Sequence, residues 1–258
     1  MKAAIVYKLS SEKIAIEVRE FLNSNNVEAE MFRYPSSVLE RYDMIITVGG
    51  DGTVLRSIHH LRTPPPVFSI NTGRIGILTH ATPENYRESL IRALKGETEV
   101  EEIMRVSGKS RSAELFALNE IAILSASPAR LIEFEVNVDG VLLDSMRADG
   151  AIISTSTGST AYALSAGGAI VDPELDAISF TPVSPFRTGS KSWVLSPERV
   201  IEIKIRGDRD AVAVADGITS LRLSPGSSMF FRRSDHPARF YKFESRIVKI
   251  IEKIRNLK

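Results

Sequence analysis

Gly49-Gly50-Asp51-Gly52-Thr53 is the stretch of this chain whose residue types most plainly suit chemistry. It follows the apolar run Met44-Ile45-Ile46-Thr47-Val48 and precedes a helical stripe of Val54, Leu55, Ile58 and Leu61, which is where an open parallel sheet places its ligands. Three glycines in four positions let the backbone approach a phosphate and aim N–H groups at it, and the start of the helix adds a favourable dipole. Asp51 does not fit a simple anion cradle, because a carboxylate there repels phosphate unless it binds a metal ion or takes a proton from an attacking hydroxyl. Both roles belong to phosphoryl transfer. The alternative is a tight strand-to-helix turn in which Asp51 is an N-cap. Neither G-x-x-x-x-G-K-[ST] nor G-x-G-x-x-G occurs at these glycines, so the loop is not an ordinary P-loop or Rossmann fingerprint.

A second stretch, residues 154–168, packs seven hydroxyl side chains, three glycines and Tyr162 into fifteen positions. Hydroxyls and backbone groups there can satisfy ribose and amide partners, and Tyr162 can cover an aromatic base. A Ser/Gly linker is the competing reading, although the segment lies directly between the apolar runs Ala151-Ile152-Ile153 and Ile170-Val171. Asn119-Glu120 interrupts the apolar stretch from Phe116 to Leu124, so one of the two should face inward, where sugar hydroxyls would be suitable donors to a buried carboxylate; an edge or loop pair in solvent is the alternative. His59, His60, His80 and His236 show no ligand spacing and read as surface or core residues.

The surrounding elements change period along the chain. Ala3–Tyr7, residues 27–32, Met44–Val48 and Val67–Ile70 alternate with helical stripes, the pattern of a parallel α/β sheet. Thr82-Pro83 should open a helix that ends at Gly96. Beyond about residue 99, Ile132, Phe134, Val136 and Val138 alternate with polar residues ahead of an Asp139-Gly140 turn, and residues 200–205, 211–215 and 221–223 behave similarly. The expected architecture is an N-terminal Rossmann-like parallel-sheet domain, residues 1–98, and a strand-rich, β-sandwich-like domain, residues 99–239. A final helix carries Ile247, Ile250, Ile251 and Ile254, with basic residues at 253, 255 and 258 suiting its C-terminus; where it packs is not decided by the sequence pattern. Thirty-three basic residues against thirty-two acidic ones give no electrostatic drive toward nucleic acid or anionic lipid. With no cysteine, disulfides and thiolate sites are excluded. No run approaches the ~20 apolar residues of a membrane span, and no signal peptide is evident, so a cytoplasmic location is expected.

Gly49-Gly50-Asp51-Gly52-Thr53, Asn71-Thr72-Gly73-Arg74-Ile75-Gly76, Asn119-Glu120, Asp149-Gly150 and Ser159-Thr160-Ala161-Tyr162, in this order and spacing, resemble the NAD kinase family over about residues 1 to 240. The glycine-aspartate motif is shared with diacylglycerol, sphingosine and, in variant form, phosphofructokinase families; the later motif is far more specific. The resemblance implies phosphorylation of the adenosine ribose of NAD by ATP or polyphosphate, with magnesium or manganese held largely by phosphates rather than by protein ligands. It implies that Asp51 is the catalytic acidic residue. Gly49, Gly50, Gly52, Thr53 and Arg56 would meet the donor phosphates. Asp51, Gly52, Asn119, Glu120, Asp149, Thr160, Ala161, Tyr162, Ala163, Leu164 and Ser165 would hold NAD, with Arg130 and Arg147 near the dinucleotide. It further implies that residues 240–258 return to the first domain, and that the protein is a homodimer or homotetramer. Ile77 stands where many members have phenylalanine, Lys191-Ser192 replaces a common Arg-Pro, and Ile218 follows Asp216-Gly217 where a polar residue is usual; these departures bear on NADH discrimination and donor preference. A lipid kinase and a non-catalytic dinucleotide sensor are the competing functions.

Overall fold

The structure, a computed structural model, describes residues 1–33, 35, 37–73, 76–187 and 189–255, with Lys253 described by its backbone alone. Arg74 and Ile75 of the second motif, the Lys253 side chain and Lys258 therefore lie outside the described residues. The chain forms two compact units, one of residues 1–103 and 236–258, the other of residues 104–235.

The first unit is built on a six-stranded sheet in the order Glu28–Phe32, Lys2–Tyr7, Met44–Gly49, Val67–Asn71, Ala238–Tyr241, Val100–Ile103. Its first four strands pair in parallel. Continuous apolar runs are what a strand covered on both faces requires, and every residue of Met44–Gly49 is buried. The helix Glu12–Ser24 buries Ala15, Val18 and Leu22. The next helix, Asp51–Ile58, buries Thr53, Val54, Ser57 and Ile58. The helix expected from Thr82-Pro83 starts later, spanning Tyr86–Leu94. The Asn85 side chain accepts the Thr82 N–H at 2.8 Å, closing a turn before regular helix begins.

Ala238–Tyr241 joins this sheet parallel to Val67–Asn71 and antiparallel to Val100–Ile103, so the chain's last segment completes the sheet. The unit thus runs through residue 103 and resumes at 236, where the expected bounds were 98 and 240. The closing helix, Arg246–Arg255, buries Ile250, whereas Ile251, placed on the same stripe by the sequence, is exposed. His80 is half-buried: its Nδ1 accepts the Ser69 N–H at 3.0 Å, and desolvation, aided by the Lys249 charge, pushes its pKa down to about 3.

The second unit is a sandwich of two six-stranded sheets, ordered Val141–Ala148, Ile132–Val138, Ile201–Arg206, Ser228–Arg233, Val106–Lys109, Glu114–Ala117 and Trp193–Leu195, Ile178–Val183, Gly150–Thr155, Glu120–Ser125, Ala211–Ala215, Thr219–Leu223. All its sheet pairings are antiparallel. One core takes Phe134, Val136, Ile203 and Phe231 from the first sheet and Ile121, Ile123, Ile153 and Phe180 from the second. The Asp139-Gly140 turn has φ of 49° and 81°, the left-handed pair that a two-residue hairpin requires. Phe231→Ala, which empties a fully buried site in this core, should cost ~3–5 kcal/mol of stability, read as a lower urea midpoint; an unchanged midpoint would contradict the sandwich packing.

Candidate active site

In the first unit the strand Met44–Gly49 ends in the glycine loop, and Gly50 is the residue capping the helix that begins at Asp51. Asp51 is not an N-cap. Its Oδ2 accepts the Ile77 N–H at 3.1 Å and its Oδ1 the Leu78 N–H at 3.0 Å, so two amides from a distant loop fix the carboxylate. Hydrogen bonds to an ionised acceptor are stronger than neutral ones, and a pair of them sets direction as well as position.

Close approach explains two glycines. A Cβ on Gly76 would lie 2.3 Å from Thr79 Oγ1 and 3.1 Å from Asp51 Oδ1, and one on Gly49 would lie 2.1 Å from Thr53 Oγ1. Nothing crowds Gly50, and Gly52 faces only Arg56 Nη2 at 3.8 Å, so these two leave room for another molecule. Of the expected phosphate contacts, Thr53 is buried and Arg56 exposed. Ser11 Oγ lies 2.8 Å from Thr72 Oγ1, and the Thr72 N–H donates to Gly49 O at 3.0 Å, tying the loops at this edge together.

Strand order reverses between Lys2–Tyr7 and Met44–Gly49, the place where open α/β sheets form their crevice. A cleft of about 330 Å³ is found there, lined by Val6, Tyr7, Lys8, Leu9, Arg33, Pro35, Thr53 and Arg56. Lys8 and Arg33 join Arg56 to make it basic. Sequence reasoning missed both, since their convergence depends on the order of strands rather than on any local motif.

In the second unit, Glu120 begins the strand Glu120–Ser125 and sits opposite Ser154. Alternation puts Ile121 and Ile123 in the sandwich core, leaving Glu120 and Ala122 on the outer face. There the short helix Tyr162–Ser165 covers the sheet, with Ala163 packed on Ala122 and Ile152. Gly158 lies so close to Asn119 that a Cβ would be 2.0 Å from its carbonyl oxygen. Asn119-Glu120 and residues 154–165 are therefore one constellation, not a solvent-exposed pair and a linker.

Most of the seven hydroxyls turn inward. Thr155 Oγ1 donates to Leu118 O at 2.6 Å, Ser159 Oγ to Ser156 O at 2.7 Å, and Ser154 Oγ shares a hydrogen bond with Ser179 Oγ at 2.6 Å. These groups shape the segment rather than await a ligand. Thr160 is buried, Ala161 and Leu164 are half-buried, Ser165 is exposed and Tyr162 is 39% exposed. The Ala163 side chain is committed to packing, which leaves its backbone as the part open to contact.

Asp216 was not singled out for a role by sequence, yet it holds this constellation in place. Its carboxylate accepts the N–H groups of Leu118, Asn119 and Glu120 at 2.8, 2.9 and 3.2 Å. Its backbone φ of 49°, followed by 68° at Gly217, makes the turn that aims it. Burial raises the Asp216 pKa, while those three amides and Arg105 pull it down. Burial first, then the Asp216 charge, push Glu120 up to about 7, against a lowering hydrogen bond from the Tyr162 amide. Glu120 Oε2 is buried without a hydrogen-bond partner, a site for a donor from outside.

Three expected contacts fall elsewhere in this unit. Asp149 precedes the strand Gly150–Thr155, at the end away from Ser154, and its N–H donates to Val183 O at 3.0 Å. Arg147 belongs to the other sheet, paired with Glu133 at 3.3 Å and lying over the Phe186 ring at 5.7 Å. Arg130 is an exposed loop residue. Among the described residues no group of three or more His, Asp and Glu side chains could hold a metal ion. No helix among them is long and apolar enough to cross a membrane.

A glycine loop at the crevice of a parallel sheet, presenting an amide-held carboxylate, marks a nucleotide-binding α/β protein equipped for phosphoryl chemistry. The ATP-NAD kinase N-terminal domain model matches residues 7–98, and the ATP-NAD kinase C-terminal domain model matches residues 118–243. The chain is 44% identical over 257 residues to the NAD kinase of Archaeoglobus fulgidus, covering 100% of both, and 43% identical over 205 residues to that of Methanosarcina mazei, covering 79% of this chain and 71% of the relative. The crystal structure of an NAD kinase from Archaeoglobus fulgidus in complex with ATP matches with a TM-score of 0.92 at 43% identity over 100% of both chains. Yeast NADH kinase complexed with NADH shares the fold, with a TM-score of 0.86 at 22% identity, over 100% of this chain and 87% of that one. The chain belongs to the NAD kinase family.

Because the folded-state pKa of Glu120 is raised, its charge opposes folding: stability is fullest below the free value of 4.5 and declines as pH rises toward about 7. Glu120→Gln should therefore gain stability relative to the parent across that window, by up to about 3 kcal/mol, and hold a constant difference above it. Chemical denaturation at a series of pH values checks this, and a difference that does not vary with pH would contradict it.

Proposed function

We infer that the chain is an NAD kinase, transferring the terminal phosphoryl group of ATP, or of another donor such as polyphosphate, to the 2′-hydroxyl of the adenosine ribose of NAD to give NADP. The observation that carries this reading is the Asp51 carboxylate, aimed by two backbone amides out of a glycine loop, in a chain matched along its whole length by an NAD kinase.

In this mechanism the 2′ oxygen attacks the γ-phosphorus, the bond to the β–γ bridging oxygen breaks, ADP departs, and Asp51 takes the hydroxyl proton. Gly50 and Gly52 supply an open backbone for the donor phosphates and Gly49 the close turn beside them, with Thr53 and Arg56, and now Lys8 and Arg33, as their neighbours in the basic cleft. Asn119, Glu120, Thr160, Ala161, Tyr162, Leu164 and Ser165 would hold NAD, with Gly52 and the Ala163 backbone. Glu120 would accept from a ribose hydroxyl and Tyr162 would cover a ring. Asp149, Arg130 and Arg147 remain contacts for a more extended part of the dinucleotide. A magnesium or manganese ion suits a loop with a single carboxylate: it would arrive with the donor phosphates and offset their charge. A homodimer or homotetramer in the cytoplasm goes with this reading.

Asp51→Asn keeps the size of the side chain but removes the proton acceptor, and its NH2 can no longer accept from one of the two amides, Ile77 or Leu78, that both bond to the carboxylate. NAD binding by calorimetry should persist while NADP formation from NAD, ATP and magnesium falls by at least ~100-fold. Near-parental turnover would remove Asp51 from the chemistry, and binding of NAD without any NADP formation by the parent chain would leave a dinucleotide sensor.

A further inference from the structure

Lys249 lies on the closing helix Arg246–Arg255, far along the chain from any motif, and its side chain is only 15% exposed. Burying an ammonium is costly unless it gains specific partners. Its Nζ donates to the backbone carbonyl of Thr79, and the Glu244 carboxylate lies 3.7 Å away. Thr79 is the next residue after Ile77 and Leu78, whose amides orient Asp51, and its own hydroxyl donates to Gly76 O at 3.2 Å. One short loop thus joins the ammonium on one side to the Asp51 carboxylate on the other.

We propose that Lys249 is a positioning residue for phosphoryl transfer: by holding the Thr79 carbonyl it presses the Ile77 and Leu78 amides into the register that aims Asp51. The closing helix is then part of the catalytic apparatus and not only a cover for the sheet. Loss of one such contact loosens a loop whose two amides must both reach one carboxylate, and small misplacements of a reacting group are expensive in rate. The proposal rests on the catalytic reading of Asp51 given above.

The test uses the full chain with Lys249→Met, which keeps the aliphatic stem, and Lys249→Arg, which keeps the charge and a donor. For Lys249→Met, kcat for NADP formation should fall about tenfold or more, with KM for NAD and for ATP within about twofold of the parent. Lys249→Arg should recover most of that loss. Amide hydrogen exchange at Ile77 and Leu78 should quicken in Lys249→Met and return toward the parent rate in Lys249→Arg. Unchanged exchange at these two amides overturns the proposal whatever happens to turnover, as does a lower thermal midpoint with unaltered kcat and exchange. Faster exchange with unaltered kcat would show the contact with the loop but overturn the positioning role in phosphoryl transfer, while the role of Asp51 itself is decided separately by Asp51→Asn.

Discussion

A carboxylate at the head of a helix has an easy alternative to chemistry, which is to bond with that helix's own free amides. Here Asp51 is diverted from that fate by the Ile77 and Leu78 amides, which occupy one position on each oxygen and leave the remaining lone pairs to another molecule. Much of the first unit serves this contact. Gly76 must lack a side chain for its loop to come so near, Gly49 must lack one for Thr53 to pack beneath the turn, and the Thr72 amide bonds to Gly49 O across the same edge. The order of strands then places the loop beside the crevice where a phosphate donor has basic neighbours.

The second unit repeats the device with a different purpose. Asp216 gathers three successive amides, those of Leu118, Asn119 and Glu120, and so fixes where the Glu120 strand begins. Glu120 in turn lies under the Tyr162 amide and keeps one oxygen unpaired. On the proposed reading the first carboxylate is held in place to take part in the reaction, and the second holds a neighbour in place to bind. In both cases the orienting groups are backbone amides, whose positions depend on the fold rather than on side-chain identity.

That dependence decides what the sequence could reveal. Continuous apolar runs disclosed the parallel strands, and the strict alternation around Phe134 disclosed the sandwich, because burial on two faces or on one leaves its mark in residue type. The four-residue strands Val100–Ile103 and Ala238–Tyr241 were too short to carry a period, so the way the chain's end completes the first sheet was not legible. The start of the Tyr86–Leu94 helix was misplaced because the Asn85 side chain, not a Thr82 cap, governs that turn. Asp51 stood out as an acid where phosphate was expected. The amides that orient it could not, since Ile77 and Leu78 look like any apolar pair. Likewise composition flagged the segment 154–168, but not that Ser154, Thr155 and Ser159 spend their hydroxyls on the protein itself.

The proposed chemistry stands or falls on what Asp51 touches. A crystal structure of the chain with NAD and a non-hydrolysable ATP analogue measures it: an Asp51 carboxylate oxygen should lie about 3 Å from the 2′ oxygen of the adenosine ribose, within hydrogen-bonding reach. A ribose that presents its 3′ oxygen there instead, or that lies well beyond reach with Asp51 still bonded to Ile77 and Leu78, would contradict it.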